Sequence, residues 1–255
     1  MAKRHTHILS EAKWADIKNT SVEVAVLPWG ATEAHNYHLP YGTDNYECEY
    51  FASKAAEIAS KAGKNILVLP IIPYGVNGAQ INVPFNINLN QSTQLLIVRD
   101  IVESLEHQGL KKLIIINSHG GNAFAPILRE LFPKTKMFIC CVNTYQCLDA
   151  REHFENPGDH AGEMETSIMM HIHPELVAPL SDAGNGSVKT FKIAALNQGW
   201  AWSQRDWRKI SKDNGAGNPM KATKIKGKKY TEAAVKKIAS FFMEVADADI
   251  DKLYV

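Results

Sequence analysis

The sequence has no long hydrophobic run and almost no net charge. No apolar stretch approaches the roughly 18 residues of a membrane-spanning helix, and the opening MAKRHTHILSEAKW lacks the apolar core of a signal peptide. The 28 Lys and Arg residues nearly balance the 27 Asp and Glu residues, so no overall field would attract nucleic acid or an anionic membrane. These absences predict a soluble, cytoplasmic protein whose partner is small or neutral.

Cysteine is scarce and shows no metal-binding or redox spacing. The four cysteines, Cys48, Cys140, Cys141 and Cys147, form no C-x-x-C pair. The Cys140-Cys141 doublet lies in the apolar run KMFICCV, where core packing is the usual role of a cysteine. This usage fits a reducing compartment.

What the sequence does contain is an alternation of short apolar runs and helical patterns. The runs lack a clean polar alternation, which is typical of strands buried on both faces. They cover residues 22–28, 65–72, 112–117 and 136–142. The helical patterns cover residues 46–63, 92–109, 122–131 and 231–247. Ser92 is the predicted N-cap of the second helix and Gly109 its stop signal. This order predicts an α/β protein, one domain over residues 1–255 with a mainly parallel sheet and helices on both faces.

Three groups of metal-capable side chains lie at the ends of these elements. The first group follows the first strand in GATEAHNYHLPYGTDNYE, the second ends the third strand in IINSHGGN, and the third opens a helix in DHAGEMETS. Ligands of parallel α/β sheets bind beyond the carboxyl ends of the strands, so the first two groups are expected to meet. The residues concerned are Glu33, His35, Asp44, His119, His160, Glu163 and Glu165.

The types and spacing of these residues favour a mixed nitrogen and oxygen metal site. In an extended chain, residues two apart project to the same side, so Glu33 and His35 address one site. A proline and a glycine then turn the chain and bring Asp44 back toward them. His119 ends a buried strand and precedes two glycines, where the backbone approaches a ligand closely. Carboxylates and imidazoles are the ligands that divalent first-row metals take in catalytic sites.

Each residue also has a structural interpretation. Asp44 and Glu47 fit a capping box for a helix that begins at Asn45. Glu163 and Glu165 fit the positive end of a helix dipole, and a lone histidine such as His119 is more often a core residue. The coincidence of three groups at one edge of a sheet favours the metal site.

The same stretches resemble a known family. GATEAHNYHLPYGTD resembles the motif G-[ST]-x-E-Q-H-G-P-H-L-P-x-G-T-D of the creatininase (creatinine amidohydrolase) family. IINSHGGN resembles its N-G-H-G-G-N, and HAGEMETS resembles its H-A-G-x-x-E-T-S. NGAGNPMKATKIKGKKYTEAA is similar to its G-x-x-G-D-P-x-x-A-T-x-E-K-G segment. Four motifs in the family's order are a specific signal.

The resemblance implies a three-layer α/β/α sandwich, frequently a homohexamer, with two divalent metal ions per chain. It implies hydrolysis of an amide C–N bond in a cyclic amide, a formamide or a similar small substrate. Glu33, Asp44 and His119 would hold one metal ion, and His35 and Asp44 the other, so that Asp44 bridges the two. His160 matches the histidine that contacts substrate and passes a proton. Zinc and manganese are the expected ions, with iron as a further alternative.

The chain departs from the family pattern at one ligand. Creatininase itself takes a further glutamate two residues after the strand-end histidine, where this chain has Gly121. We expect Glu163 to replace that ligand or, failing that, to shuttle a proton. Creatinine-hydrolysing members also carry tryptophans just before H-A-G, whereas REHFENPGDH offers only Phe154, so creatinine is not the favoured substrate. The tryptophans further along the chain either close the pocket or serve packing or a subunit contact. They are Trp200, Trp202 and Trp207.

Three other functions compete with the amidohydrolase. A serine esterase would need the nucleophile elbow G-x-S-x-G, which the chain lacks. A two-metal phosphoesterase would be expected to add an arginine or lysine clamp, and none lies in the three groups. A non-catalytic relative that binds a metal or ligand would not need both His160 and Glu163 at an open site.

Overall fold

Four parallel strands form the centre of the fold. The computed structural model describes residues 7–255, and its sheet has the strand order β2-β1-β3-β4. The strands are β1 (Val24–Trp29), β2 (Ile66–Val68), β3 (Lys112–Asn117) and β4 (Phe138–Asn143). All three neighbouring pairs are parallel. The predicted parallel α/β sheet is therefore confirmed, with each strand within a few residues of its predicted place.

Helices cover both faces of this sheet. The helices of the described residues are α1 (Trp14–Ile17), α2 (Thr43–Lys61), α3 (Gln91–His107), α4 (Phe124–Leu131), α5 (Glu163–Ile172), α6 (Ala194–Asn197), α7 (Trp207–Ile210) and α8 (Lys224–Asp247). Short 3-10 turns lie between them: Leu9–Glu11, Gly78–Gln80, Phe132–Lys134, Thr144–Gln146, Ala150–Glu152, Pro174–Leu176, Leu180–Asp182 and Pro219–Lys221. No helix within residues 7–255 combines the length and the apolarity needed to cross a membrane.

Alternate residues of β1 divide the core into two layers. Val24 and Val26 pack with α2, α5 and α8, whereas Ala25 and Leu27 pack with α3 and α4. Successive side chains of a strand point to opposite faces, so a strand of six buried residues supplies both layers at once. The three-layer α/β/α arrangement follows from this burial on two faces.

Helices α2 and α3 begin earlier than predicted. Helix α3 begins at Gln91 with Asn90 in the N-cap position, two residues before the predicted N-cap Ser92. Helix α2 begins at Thr43, so Asp44 lies inside the first turn, and Gly42 occupies the N-cap position without a side-chain hydrogen bond. The capping-box interpretation of Asp44 was therefore wrong. Its carboxylate is available for contacts beyond its own helix.

Helix α8 begins earlier than predicted and includes the lysine-rich residues 224–229. Its first residue is Lys224, and Thr223 caps it by accepting a hydrogen bond from the Lys226 N–H at 3.2 Å. Gly227 lies where any larger side chain would clash with the Ser167 carbonyl, so this glycine permits the close approach of α8 to α5. Helices α5 and α8 are thus held together at the end of α5 that carries the third group of polar residues.

Candidate metal centre

Two neighbouring strands deliver the first four site residues to one edge of the sheet. Trp29 at the end of β1 pairs with Asn117 at the end of β3, so the loops that follow these strands lie side by side. Glu33 and His35 lie in the loop after β1, Asp44 in the first turn of α2, and His119 two residues beyond β3. All four side chains are buried.

Asp44 lies between two histidines. Its Oδ2 is 3.0 Å from His119 Nδ1, and its Oδ1 is 3.1 Å from His35 Nε2. Glu33 Oε1 lies 3.0 Å from the same His119 Nδ1. One imidazole nitrogen thus faces two carboxylates, and one carboxylate faces two imidazoles.

The outer nitrogens of both histidines are occupied by backbone carbonyls. His119 Nε2 donates to Val76 O at 3.1 Å, and His35 Nδ1 donates to Glu33 O at 3.0 Å. A neutral imidazole has a single N–H, so the nitrogens that face the carboxylates present lone pairs. Lone pairs and carboxylate oxygens at this separation repel unless a cation lies among them. Asp44 Oδ2 is also buried without a hydrogen-bond donor from residues 7–255.

Without a metal ion, the two imidazoles supply the positive charge themselves by binding protons. Burial disfavours a charged imidazole, but the neighbouring carboxylates outweigh it and raise the pKa of His35 to about 10, with Asp44 as the main source. For His119, burial again opposes the charge, and the charge of Glu33 together with the contact to Asp44 raises the pKa well above its ordinary value. The site is therefore built for positive charge, and its oxygen and nitrogen donors fit a divalent metal ion.

Glu165 completes a second group of ligands. Its carboxylate oxygen and the ligand atoms of His35 and Asp44 lie within 4.8 Å of one another. The ligand atoms of Glu33, Asp44 and His119 form a group of the same size. Burial is the main cause that raises the pKa of Glu165. Two three-residue groups that share Asp44 give the arrangement expected of a two-metal site.

Glu163 is the predicted site residue that the structure places elsewhere. Its side chain is fully buried, but Oε1 accepts from Lys226 Nζ at 2.5 Å and Oε2 accepts from the Asn156 N–H at 2.8 Å. Both oxygens are thus used on the far side of α5 from the cluster. Residues two apart on a helix point about 200° away from each other, so Glu163 and Glu165 do not share a face. In this structure Glu163 therefore lies apart from the cluster, and its predicted role as ligand or proton shuttle stays a prediction.

The sequence contained a signal for Glu165. In the resemblance to H-A-G-x-x-E-T-S, Glu165 matches the glutamate that the motif specifies, and Glu163 occupies an unspecified position. Glu165, and not Glu163, is therefore the residue of this segment that matches a specified position of the family motif.

His160 presents one nitrogen to the cluster. Its Nε2 donates to Ala34 O at 2.8 Å, and its Nδ1 lies 3.6 Å from Glu33 Oε1. Its ring lies 4.1 Å from the ring of His35 between centroids, and the ring of Trp207 meets it edge-on at 5.3 Å. The tautomer and the direction of His160 Nδ1 are thereby fixed.

The three tryptophans have different environments. Trp207 is 5% exposed and packs against His160, whereas Trp200 and Trp202 are 77% and 82% exposed. Trp202 and Trp207 both line the cavity above the cluster, and Trp200 does not. Of the three, Trp207 is the one that closes the pocket wall beside a site residue.

A cavity of about 1010 Å³ opens above the cluster. Glu33, Asp44, His119, His160 and Glu165 all contribute to its lining. Its lining also includes Arg151 and Arg205, which pair with Asp149 and Asp159. The guanidinium of Arg205 also lies 5.0 Å from the centre of the Trp207 ring. The ligand atoms are thus reachable by a substrate while the side chains that carry them are largely buried.

Comparison with known proteins gives several matches. The family model described as Creatininase: Creatinine amidohydrolase matches residues 10–242. A crystal structure of a candidate creatinine amidohydrolase from Bacteroides fragilis NCTC 9343 is 43% identical, with a TM-score of 0.92 over 99% of this chain and 100% of that chain. The mycofactocin precursor peptide peptidase of Mycolicibacterium smegmatis is 26% identical over 162 residues, which is 62% of this chain and 61% of that protein. The match therefore spans less than two thirds of the peptidase.

Solved creatininases share the fold at lower identity. A mutant creatininase of the Zn-Zn type is 22% identical, with a TM-score of 0.78 over 97% of this chain and 100% of that chain. A manganese form is 21% identical, with a TM-score of 0.76 over 95% of this chain and 99% of that chain.

Proposed function

The chain belongs to the creatininase family, and we propose that it is a hydrolase that uses two divalent metal ions to cleave an amide C–N bond. One observation supports this most strongly. Asp44 directs one carboxylate oxygen toward His119 and the other toward His35, as a residue bridging two ions must do. A purely structural metal site needs neither two groups of ligands nor an open cavity above them.

The proposed ligands follow the two groups. Glu33, Asp44 and His119 would hold one ion, and His35, Asp44 and Glu165 would hold the other. The donors are imidazole nitrogens and carboxylate oxygens, which suit zinc and manganese, the metals named for the solved creatininases. Iron would fit the same donors.

Gly121 supports the assignment of Glu165. A side chain at position 121 would clash with His119 Nε2 and with the Val76 carbonyl that accepts its proton. The hydrogen bond that orients His119 therefore excludes a ligand at that position. Helix α5 supplies the carboxylate instead, through Glu165.

When bound, two such ions lower the pKa of a water toward neutrality and polarise the substrate carbonyl. The chain's own residues then have two tasks. His160 offers Nδ1 to the cavity, because Nε2–H is committed to Ala34 O, and this nitrogen can take a proton and pass it to the leaving nitrogen. Trp207 packs against the ring of His160 and limits water on that side.

The cavity favours a substrate larger than a small cyclic amide as a second candidate. Its volume of about 1010 Å³ lies at the upper end of the range for small-molecule sites. The relative from M. smegmatis is named as a peptidase of a precursor peptide, so a peptide amide is the alternative substrate class.

We also propose that the chain forms a homo-oligomer, as the family resemblance implies. Analytical ultracentrifugation would test this assembly.

A phosphoesterase and a non-catalytic relative are less well supported. Both arginines of the cavity lining are paired with aspartates, so neither is a free clamp for a phosphate. A non-catalytic relative has no evident use for His160 directed at an accessible pair of ligand groups.

The test is an activity panel with metal removed and restored. Purified protein would be stripped with a chelator, reloaded with zinc or manganese, and given cyclic amides, formylated amines, short peptides and phosphate esters. We expect hydrolysis of at least one amide class that depends on added metal. Metal binding without hydrolysis of any amide would support the non-catalytic alternative, and metal-dependent hydrolysis of phosphate esters alone would support the phosphoesterase.

A further inference from the structure

A buried glutamine outside every motif contacts a proposed metal ligand. Gln80 ends the 3-10 turn Gly78–Gln80 and is 4% exposed. Its Nε2 donates to Glu33 Oε2 at 2.6 Å, and Gln80 lines the cavity next to that carboxylate. The contact joins residues 47 positions apart.

A chain of hydrogen bonds fixes the orientation of this glutamine. The Ala34 N–H donates to Asn86 Oδ1 at 2.8 Å, and Asn86 Nδ2 donates to Gln80 Oε1 at 2.6 Å. A backbone N–H only donates, so it sets the direction of the Asn86 amide, which in turn sets that of Gln80. The nitrogen of Gln80 is thereby directed at Glu33, and the amide cannot reverse without breaking two hydrogen bonds.

The result is that one oxygen of Glu33 is held and the other is free to bind. Oε2 accepts from Gln80, whereas Oε1 lies 3.0 Å from His119 Nδ1, on the side of the proposed ion. We infer that Gln80 is a positioning residue that orients Glu33, so that Oε1 binds the ion shared with Asp44 and His119. This inference rests on the proposed two-metal site.

The loop that carries Gln80 holds both of the non-bridging ligands of that ion. Besides the contact to Glu33, Val76 O accepts from His119 Nε2 at 3.1 Å. Asn77 Nδ2 ties the loop to Thr32 O at 3.2 Å, just before Glu33. Within residues 7–255, no hydrogen bond joins residues 76–88 to the side chain of His35 or of Glu165. Loss of the Gln80 side chain should therefore weaken the binding of one ion and leave the binding of the other unchanged.

The experiment compares the affinities of the two ions in matched variants. Gln80→Met keeps the length of the side chain and removes the donor, and Asn86→Asp keeps the acceptor for Ala34 while removing the donor to Gln80. Gln146→Met is the control, because Gln146 lines the same cavity and bonds to Asn143 but to no proposed ligand. Metal binding would be measured by competition with a chromogenic chelator, beside the thermal stability of the metal-free proteins.

We expect Gln80→Met to lower the affinity for one of the two ions by about 10- to 100-fold, because loss of a hydrogen-bond partner of a metal ligand usually has an effect of this size. Asn86→Asp should weaken the same ion by less, and Gln146→Met should change neither. A purely structural role would lower the stability of the metal-free protein and leave both affinities unchanged, and this result would overturn the inference. If Gln80→Met does not fold, Asn86→Asp decides by the same criterion. A wild-type protein that binds no ion would instead refute the proposed function itself.

Discussion

Two groups of acids flank the start of helix α5, and the buried carboxylates in each group find their opposite charge differently. The ligand cluster consists of Glu33, His35, Asp44, His119 and Glu165. The lysine cluster consists of Glu155, Glu163, Lys221 and Lys226. Glu163 and Glu165 are two residues apart in the chain, yet one belongs to each cluster.

The difference lies in the cation. In the lysine cluster the ammonium of Lys226 sits 2.5 Å from Glu163 Oε1, so a permanent charge of the chain balances the buried carboxylate. In the ligand cluster the basic groups nearest Glu33 and Asp44 are imidazoles, which carry charge only when protonated. A buried carboxylate needs a partner of opposite charge. A buried acid that pairs with a lysine is therefore structural, whereas buried acids that face only histidines indicate a cation bound from solution.

The sharpest way to break this comparison is to remove the bridging residue. Asp44→Ala should lose both ions and lower activity by on the order of 10³-fold or more, because bound ions supply several kcal/mol of transition-state stabilisation. His35→Ala should mainly lose one ion. Metal content measured by mass spectrometry, with activity on the best amide substrate, checks both variants. Equal loss of metal in the two proteins would count against the bridging role of Asp44.

The neighbouring glutamates give a matched pair. Glu165→Gln should lose one ion and most activity. Glu163→Gln should keep both ions and lower the free energy of unfolding by about 1–3 kcal/mol, since Lys226 then faces a neutral amide. Metal analysis and chemical denaturation of both variants would be compared. Loss of an ion from Glu163→Gln, with both retained in Glu165→Gln, would reverse the assignment made here.

Two adjacent glycines test the packing behind His119. A methyl group at position 121 would clash with His119 Nε2 and Val76 O, whereas one at position 120 meets nothing within 4 Å. Gly121→Ala should therefore weaken the ion held by Glu33, Asp44 and His119 by about 10-fold, because the hydrogen bond that orients His119 is disturbed. Gly120→Ala is the control. Similar affinities in the two variants would show that this close approach does not matter for binding.

The smallest expected effect is a difference in pH dependence. In the metal-free protein the pKa of His35 is raised from 6.5 to about 10, so its contribution to stability is complete below pH 6.5 and disappears as the pH rises toward about 10. His119, whose pKa is also raised, adds a loss in the same direction.

With metal bound the sign should change. Metal ions compete with protons for the same nitrogens, so their affinity increases with pH. Thermal unfolding of chelator-treated and metal-loaded protein should therefore give opposite slopes above pH 6.5. Parallel slopes would mean that the imidazoles do not bind the ions.

The sequence predicted those parts of the site that depend on local geometry. Glu33 and His35 share a side because an extended chain repeats every two residues, and His119 could be placed because β3 was recognisable as a buried strand. Asp44 was ambiguous, since a residue near a helix start serves either a cap or a site, and only the actual start of α2 at Thr43 decides.

The rest depended on contacts between distant segments. The direction of Glu163 is set by Lys226, 63 residues away, and that of Glu33 by Gln80, 47 residues away. No spacing within one segment contains this information. Trp207 likewise reaches His160 from a part of the chain without regular pattern, so its role as a pocket wall could be stated only as one of several alternatives.

The central claim is most directly tested by anomalous diffraction from crystals of the wild-type protein loaded with zinc or manganese. The account predicts two ions in each chain, one bound by Glu33, Asp44 and His119 and the other by His35, Asp44 and Glu165. A single ion without Asp44 among its ligands, or an ion bound by Glu163, would contradict it.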